Sequence, residues 1–267
     1  MDSLRAIGVL IAVALGIGLA GCATPERVAL APVQRAAIAE LRTHVAVAPT
    51  EASPTPSSIS PLDAAEHRRA FDDALRRELP KYPIRLGAIT AAAQALDAPE
   101  RARLFGELKP AQALLLIEPQ ARLSADARTL EADAVVSLWT REAGERRPVQ
   151  RVLLRYRSQP LGSGGAASLA GWSADDGAAL HAALRESVIE TIDMVLLEFD
   201  LAVPPVLTEP PRAFAVNLGG APGAVRGQLL KETARRATVL GEDGRLYSLP
   251  KPLSATAANA NTVTAAR

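Results

Sequence analysis

Ala113-Leu114-Leu115-Leu116-Ile117 is an unbroken apolar run of strand length, and Pro119 follows it two residues on. Such a run suits a strand covered on both faces. Downstream the pattern changes to alternation. Leu130, Ala132, Ala134, Val136 and Leu138 share one parity, and Thr129, Glu131, Asp133, Val135 and Ser137 share the other. After a polar turn at 144–147, Val152, Leu154 and Tyr156 face one way and Arg151, Leu153, Arg155 and Arg157 the other. This reads as an antiparallel hairpin with one wet face, set beside a fully buried strand.

Helices must supply that cover. Before the run, Asp97 is a side-chain cap, with Pro99 and Glu100 in the first turn, then Leu104, Phe105 and Leu108 as the apolar side and Pro110 as the stop. That is a complete set of helix start and stop signals. Further upstream, Ser60, Pro61 and Asp63 open a helix whose stripe is Phe71, Leu75 and Leu79, ended by Pro80 and Pro83. Between these helices Tyr82–Ala88 is a strand candidate, and Thr90–Leu96 reads as one or two more helical turns. The first strand is Thr43-His44-Val45-Ala46-Val47-Ala48, stopped by Pro49.

After the hairpin, 159–171 is Gly/Ser-rich and reads as a flexible loop. The longest helix follows, capped by Ser173, with Asp175 and Asp176 at its positive end. Leu180, Leu184, Val188, Ile192, Val195 and Phe199 form its stripe. Leu201–Val203 reads as a short exit strand. Residues 204–226 are Pro/Gly/Ala-rich and read as a linker. Ala237–Leu240 and Arg245–Leu249, joined by Gly241-Glu242-Asp243-Gly244, make a further hairpin at 227–250. A lone hairpin is marginal in water, so it must dock on the main domain or on a partner. Residues 251–267 are polar and read as a disordered tail.

The expected fold class is therefore α+β. A small mixed sheet with helices packed on it runs β-α-β-α-β-β-β-α over 43–203, and the C-terminal hairpin is an extension.

Composition limits the chemistry. Apolar residues make up 48% of the 267 but aromatics only 3%, so the core must be built from Leu, Val and Ala. The formal net charge is +1, which gives no electrostatic case for nucleic acid. With one cysteine, a disulfide framework and a cysteine-based metal site are both excluded.

The single cysteine, Cys22, closes Leu19-Ala20-Gly21-Cys22 at the end of an apolar run that begins at Ala6. A charged start, an apolar stretch of about 7–15 residues and small residues at the cut outline a secretory signal. The run falls short of the roughly 20 apolar residues that span a bilayer. Leu19–Cys22 resembles a bacterial lipobox. The resemblance implies cleavage after Gly21 and acylation of Cys22; the residues at 22–42 read as a tether with a short helix at Pro32–Leu41. Bacterial lipoproteins of this class carry three chains, enough for permanent anchoring where one chain holds only marginally. In enterobacterial lipoproteins an Asp after the cysteine signals inner-membrane retention. Ala23 stands there, which implies the periplasmic face of the outer membrane.

The element order, opening with Val45-Ala46-Val47-Ala48-Pro49 and the helix through Phe71–Leu79, resembles the small α/β domain of periplasmic assembly lipoproteins. Among these are the penicillin-binding-protein activator lipoproteins and the curli-secretion lipoprotein, related in fold to the amino-terminal domain of TolB. The resemblance implies an accessory, assembly or activator role through contact with another envelope protein. It is also compatible with self-assembly into a homo-oligomer.

Catalytic patterns are sparse. His44, His67 and His181 lie on three different elements, and Asp63–His67 is the one pair at ligand spacing, so no metal site is expected. Ser163 sits in Gly162-Ser163-Gly164-Gly165, which is neither a nucleophile elbow nor a phosphate loop. Asp72-Asp73 lies among Arg68, Arg69, Arg76 and Arg77 on a charged helix face. We expect no catalytic residue and no cofactor. Trp139, Trp172 and Tyr247 are the candidate partner contacts. Trp139 falls on the polar parity of its strand, where either a partner or a covering helix would meet it. The rival readings are a lipid-anchored envelope hydrolase and a small-ligand or glycan binder using the loop at 162–171.

Overall fold

The computed structural model describes residues 30–48, 64–81, 85–92, 95–141, 148–199, 210–218 and 221–251. Its elements are α1 (Pro32–Ala39), β1 (Arg42–Val47), α2 (Ala64–Glu78), β2 (Arg85–Ala91), α3 (Ala98–Gly106), β3 (Gln112–Leu123), β4 (Leu130–Thr140), β5 (Gln150–Arg157), α4 (Gly165–Glu198), β6 (Arg212–Leu218), β7 (Ala221–Glu232), β8 (Arg236–Gly241) and β9 (Leu246–Pro250). A short 3-10 turn, Leu79–Lys81, closes α2. The signal segment, Cys22, the exit strand at 201–203 and the tail after 251 lie outside the described residues.

The nine strands of the described residues belong to one mixed sheet, ordered β2-β1-β3-β4-β5-β9-β8-β7-β6. β1 runs parallel to both β2 and β3, β4 and β5 are antiparallel, and β9 returns parallel to β5. The apolar run at 113–117 is dry on both sides, as its composition demands. Ala113, Leu115 and Ile117 join Phe71, Leu75, Leu184, Val188 and Ile192 beneath α2 and α4. Leu114 and Leu116 face the other way, against Leu96, Phe105 and Leu108 beside α3. Full burial of each such side chain contributes about 1.5–3 kcal/mol, so this strand alone anchors both layers. The α+β architecture with a C-terminal hairpin, β8–β9, is the fold observed.

Three local expectations change, and a fourth is narrowed. Residues 204–226 contain β6 and the start of β7, so much of the expected linker is sheet. Among the described residues, Pro222 and Gly223 are its only Pro and Gly within a strand, in β7 beside the edge strand. The C-terminal hairpin docks on the main domain, one of its two expected sites, because Leu154, Arg155 and Tyr156 pair with Leu246, Tyr247 and Ser248. The expected tether is docked from Leu30 on. Leu30 and Ile38 are each 5% exposed and join the main core beside α1. The second strand is shifted to Arg85–Ala91 and takes in Thr90, where a helical turn was expected.

The Gly-rich loop is ordered and already helical from Gly165. Gly162 and Gly164 take positive φ, and the Ser168 hydroxyl binds both ends of the turn, accepting from the Gly164 N–H at 2.9 Å and donating to the Leu161 carbonyl. α4 is broken at Ala174–Gly177, where Asp175 and Asp176 adopt left-handed φ of 50° and 54°. These aspartates therefore mark a kink, and Ser173 donates back to the Leu169 carbonyl instead of capping.

Candidate functional site

A concave feature with a mixed lining lies between α3 and the α3-facing side of β3–β5, with a volume of about 380 Å³. Its geometry follows from three strand registers and one capped helix. Pairing places Leu114 opposite Trp139, and Leu116, Ser137 and Arg151 in one row across three strands. α3 starts where the sequence says it should. The Asp97 carboxylate accepts from the Glu100 N–H at 2.8 Å, and the Glu100 carboxylate accepts from the Asp97 N–H at 3.1 Å. This reciprocal cap fixes the entry of the helix.

α3 then brings Arg101, Ala102, Leu104 and Phe105 over the sheet. Phe105 meets Trp139 edge to face, with centroids 5.9 Å apart and planes at 77°. The Trp139 indole N–H donates to the Ser137 hydroxyl at 2.8 Å, which locks the ring across the groove floor. Charge enters at the end where Glu118 lies beside Val135. Arg101 donates to Glu118 at 2.6 Å, and Glu118 is 9% exposed. Arg151 also lines the groove and makes no ion pair among the described residues. Arg101, Glu118 and Arg151 together leave one positive charge at this wall.

The same face of β4 and β5 is not the wet surface expected. Arg155 holds Asp133 through two bonds, at 2.6 and 2.7 Å. Arg157 meets Glu131 at 3.0 Å, and Arg122 bridges Glu131 at 2.9 Å and Asp133 at 3.4 Å. Glu131 and Arg157 are each 5% exposed. Hydrogen bonding to Asp133 holds the Arg155 guanidinium above its ordinary pKa, whereas burial pulls that of Arg157 down. Alternation identified a polar face, but mutually paired charges let that face be buried or half-buried.

A second network joins the C-terminal strands to α4. Arg236, 5% exposed, donates to the Ser248 hydroxyl, the Ser248 carbonyl and the Arg157 carbonyl, and pairs with Glu186 and Glu190. Lys231 donates to both oxygens of Asp193, at 2.6 and 2.7 Å. Glu186, Glu190 and Asp193 recur at one helix face, so α4 presents an acidic row to β7–β9. The sequence did carry a signal for this: Glu186, Glu190 and Asp193 stand at helical spacing in the C-terminal half of the helix.

Of the expected contact residues, Trp139 is half-buried in the groove. Trp172 is 4% exposed and donates to the Ala127 carbonyl at 2.6 Å, so it is a core anchor and offers no surface to a partner. Tyr247 is 7% exposed, and its hydroxyl donates to Asp243. It belongs to the small core of Val225, Ala237, Val239 and Leu249 and is likewise withdrawn from contact. Cys22 lies outside the described residues. His44 is structural. Its Nδ1 accepts the Ala88 N–H at 3.1 Å where the β1–β2 register shifts. The side chain of His67 lies outside the described residues, and His181 and Ser163 are exposed. Among the described residues no three His, Cys, Asp or Glu side chains are grouped to hold a metal, and no helix is long and apolar enough to cross a membrane.

No family model matches the chain, and no curated protein is significantly similar to it.

Proposed function

We propose that the chain is a lipid-anchored periplasmic protein of the outer membrane, acting without catalysis as an accessory, assembly or activator factor through contact with another envelope protein. The lipobox at Leu19–Cys22 supports the anchor. The docking of Leu30 supports a short leash. Only residues 22–29 separate the acylated position from the core, a reach of roughly 25–30 Å when extended.

The observation that carries the contact reading is the free edge of β6. It ends the sheet and pairs only with β7 among the described residues. Arg212, Ala213 and Ala215 are exposed along it, and the Arg212 guanidinium lies 4.9 Å from the centre of the Phe214 ring. An open edge is a template for a partner's strand. The opposite edge, β2, is guarded. The register shift near Gly87 and Ala88 breaks its regular ladder, and His44 takes up the Ala88 N–H.

The test is tritiated-palmitate labelling and pull-down of the intact chain from its native envelope, with Cys22→Ala alongside. Labelling and one dominant envelope partner, both lost in Cys22→Ala, support the reading. An unlabelled wild-type chain contradicts the anchor, and a labelled chain without a partner contradicts the accessory role.

A further inference from the structure

The groove beneath α3 serves no purpose in strand addition at β6, and its lining has the character of a ligand site. Pockets for small molecules are mostly apolar clefts of about 300–1,000 Å³ with a few placed polar groups, and this one encloses about 380 Å³. Its walls are Leu96, Leu104, Phe105, Leu114, Leu116 and Trp139. Leu96, Phe105, Leu114 and Leu116 are each less than 9% exposed, so the apolar surface belongs to a concavity and not to an open patch.

The polar groups are unequal in a way that specifies charge. Glu118 is already held by Arg101 at 2.6 Å. Arg151 points from β5 into the same lining and has no carboxylate of its own among the described residues. A cation with no counter-ion among the described residues, beside a neutralised pair and an apolar trough, favours a single negative charge on whatever enters. Ser137 accepts the Trp139 indole N–H at 2.8 Å, which leaves its own O–H to donate to the same anion as a neutral second contact beside Arg151.

We propose that this groove binds a small amphiphile with one anionic group, its apolar body against Trp139, Leu104 and Leu116 and its anion on Arg151. Arg151 is the residue that selects charge, and Ala102 on α3 marks the mouth.

The test is calorimetric titration of the full chain carrying Cys22→Ala, kept free of detergent, with dodecanoate and with dodecanol as its uncharged counterpart. Saturable one-to-one binding of dodecanoate is expected, at least tenfold tighter than dodecanol. Arg151→Gln should weaken dodecanoate about tenfold and leave dodecanol unchanged, Arg151→Lys should retain most of the affinity, and Ala102→Trp should abolish both. Circular dichroism of each variant verifies the fold. Three outcomes overturn the proposal: no saturable dodecanoate binding, equal affinity in wild type and Arg151→Gln, or undiminished binding in a folded Ala102→Trp. None of these bears on capture of a protein at β6.

Discussion

The guanidinium of Arg236 stacks 4.4 Å from the centre of the Tyr156 ring, and both side chains bind the Glu186 carboxylate. One residue is on β8 and the other on β5, so this contact joins the C-terminal strands to the β1–β5 part of the sheet through α4. Replacing Arg236 with Ala removes the cation and leaves the mostly buried Glu190 without its partner, while the half-exposed Glu186 stays hydrated. Breaking a buried pair in this way costs about 3–5 kcal/mol. Arg236→Ala should lose about that much in urea unfolding. Arg236→Lys should recover only part of it, because an ammonium cannot reproduce the planar fork or the stacking. Adding Glu190→Gln to Arg236→Ala should restore stability, since it deletes a charge that has lost its partner.

The same contact means that residues 227–250 cannot be removed cleanly. Their deletion uncovers Leu154 and Tyr156, each 0% exposed in the intact chain. We expect the truncated protein to unfold or aggregate, as read by loss of its cooperative thermal transition.

Gly227 and Gly241 pair across β7 and β8. A Cβ on Gly227 would lie 2.2 Å from the Leu240 carbonyl oxygen, a backbone atom that cannot swing aside. Gly227→Ala should therefore force the strands apart, at a cost on the order of 3 kcal/mol, whereas Gly106→Ala, which meets nothing within 4 Å, should be tolerated. Thermal unfolding of the two variants distinguishes this steric reading from a general intolerance of glycine replacement.

Two titrations should be visible. Burial, with the bond to Asp243, pushes the Tyr247 hydroxyl up to about 12. A neutral form favoured by folding means that the unfolded tyrosine ionises first as pH rises through its ordinary value of 10. Stability is thus complete below about pH 10 and declines from there to about pH 12. Tyr247→Phe should remove that part of the alkaline decline. Burial likewise raises the Glu190 carboxyl, in spite of the Ser248 hydroxyl and Arg236. Its contribution falls as pH rises above the ordinary 4.5, so Glu190→Gln should flatten the stability profile just above that value.

Trp172 and Trp139 sit in different surroundings and should report separately. Trp172→Phe loses the bond to the Ala127 carbonyl and leaves that acceptor unmatched, at a cost of about 1–3 kcal/mol. It should leave partner capture intact. Trp139→Phe should cost less, because the ring is half-buried, and should instead alter the groove. Fluorescence-detected unfolding of both variants provides the comparison.

The sheet was legible wherever local pattern and burial coincide. The run at 113–117, the alternation at 130–138, and the Asp97-Pro99-Glu100 cap each name an element that the structure contains, because each encodes its own environment. What escaped was decided by partners far along the chain. Strand β6 reads as linker because Pro and Gly dominate around it, yet pairing with β7 organises it. The polar parity of β4 reads as wet, yet Arg122, Arg155 and Arg157 satisfy its carboxylates. Trp172 reads as a free aromatic because its acceptor, the Ala127 carbonyl, is contributed by a distant loop. Arg151 carried a faint signal in its shared parity with Arg155 and Arg157, but only register against Ser137 places it in the groove.

The most direct test of the account is site-specific photo-crosslinking in the native envelope. A photoreactive residue is placed at Ala215 on the β6 edge and, as control, at Ala37 on the exposed side of α1. A single dominant protein adduct from Ala215, absent from Ala37 and absent when Cys22→Ala is added, is the result the account predicts. No adduct from Ala215 above the Ala37 level, or the same adduct without Cys22, would contradict an anchored protein that works through that edge.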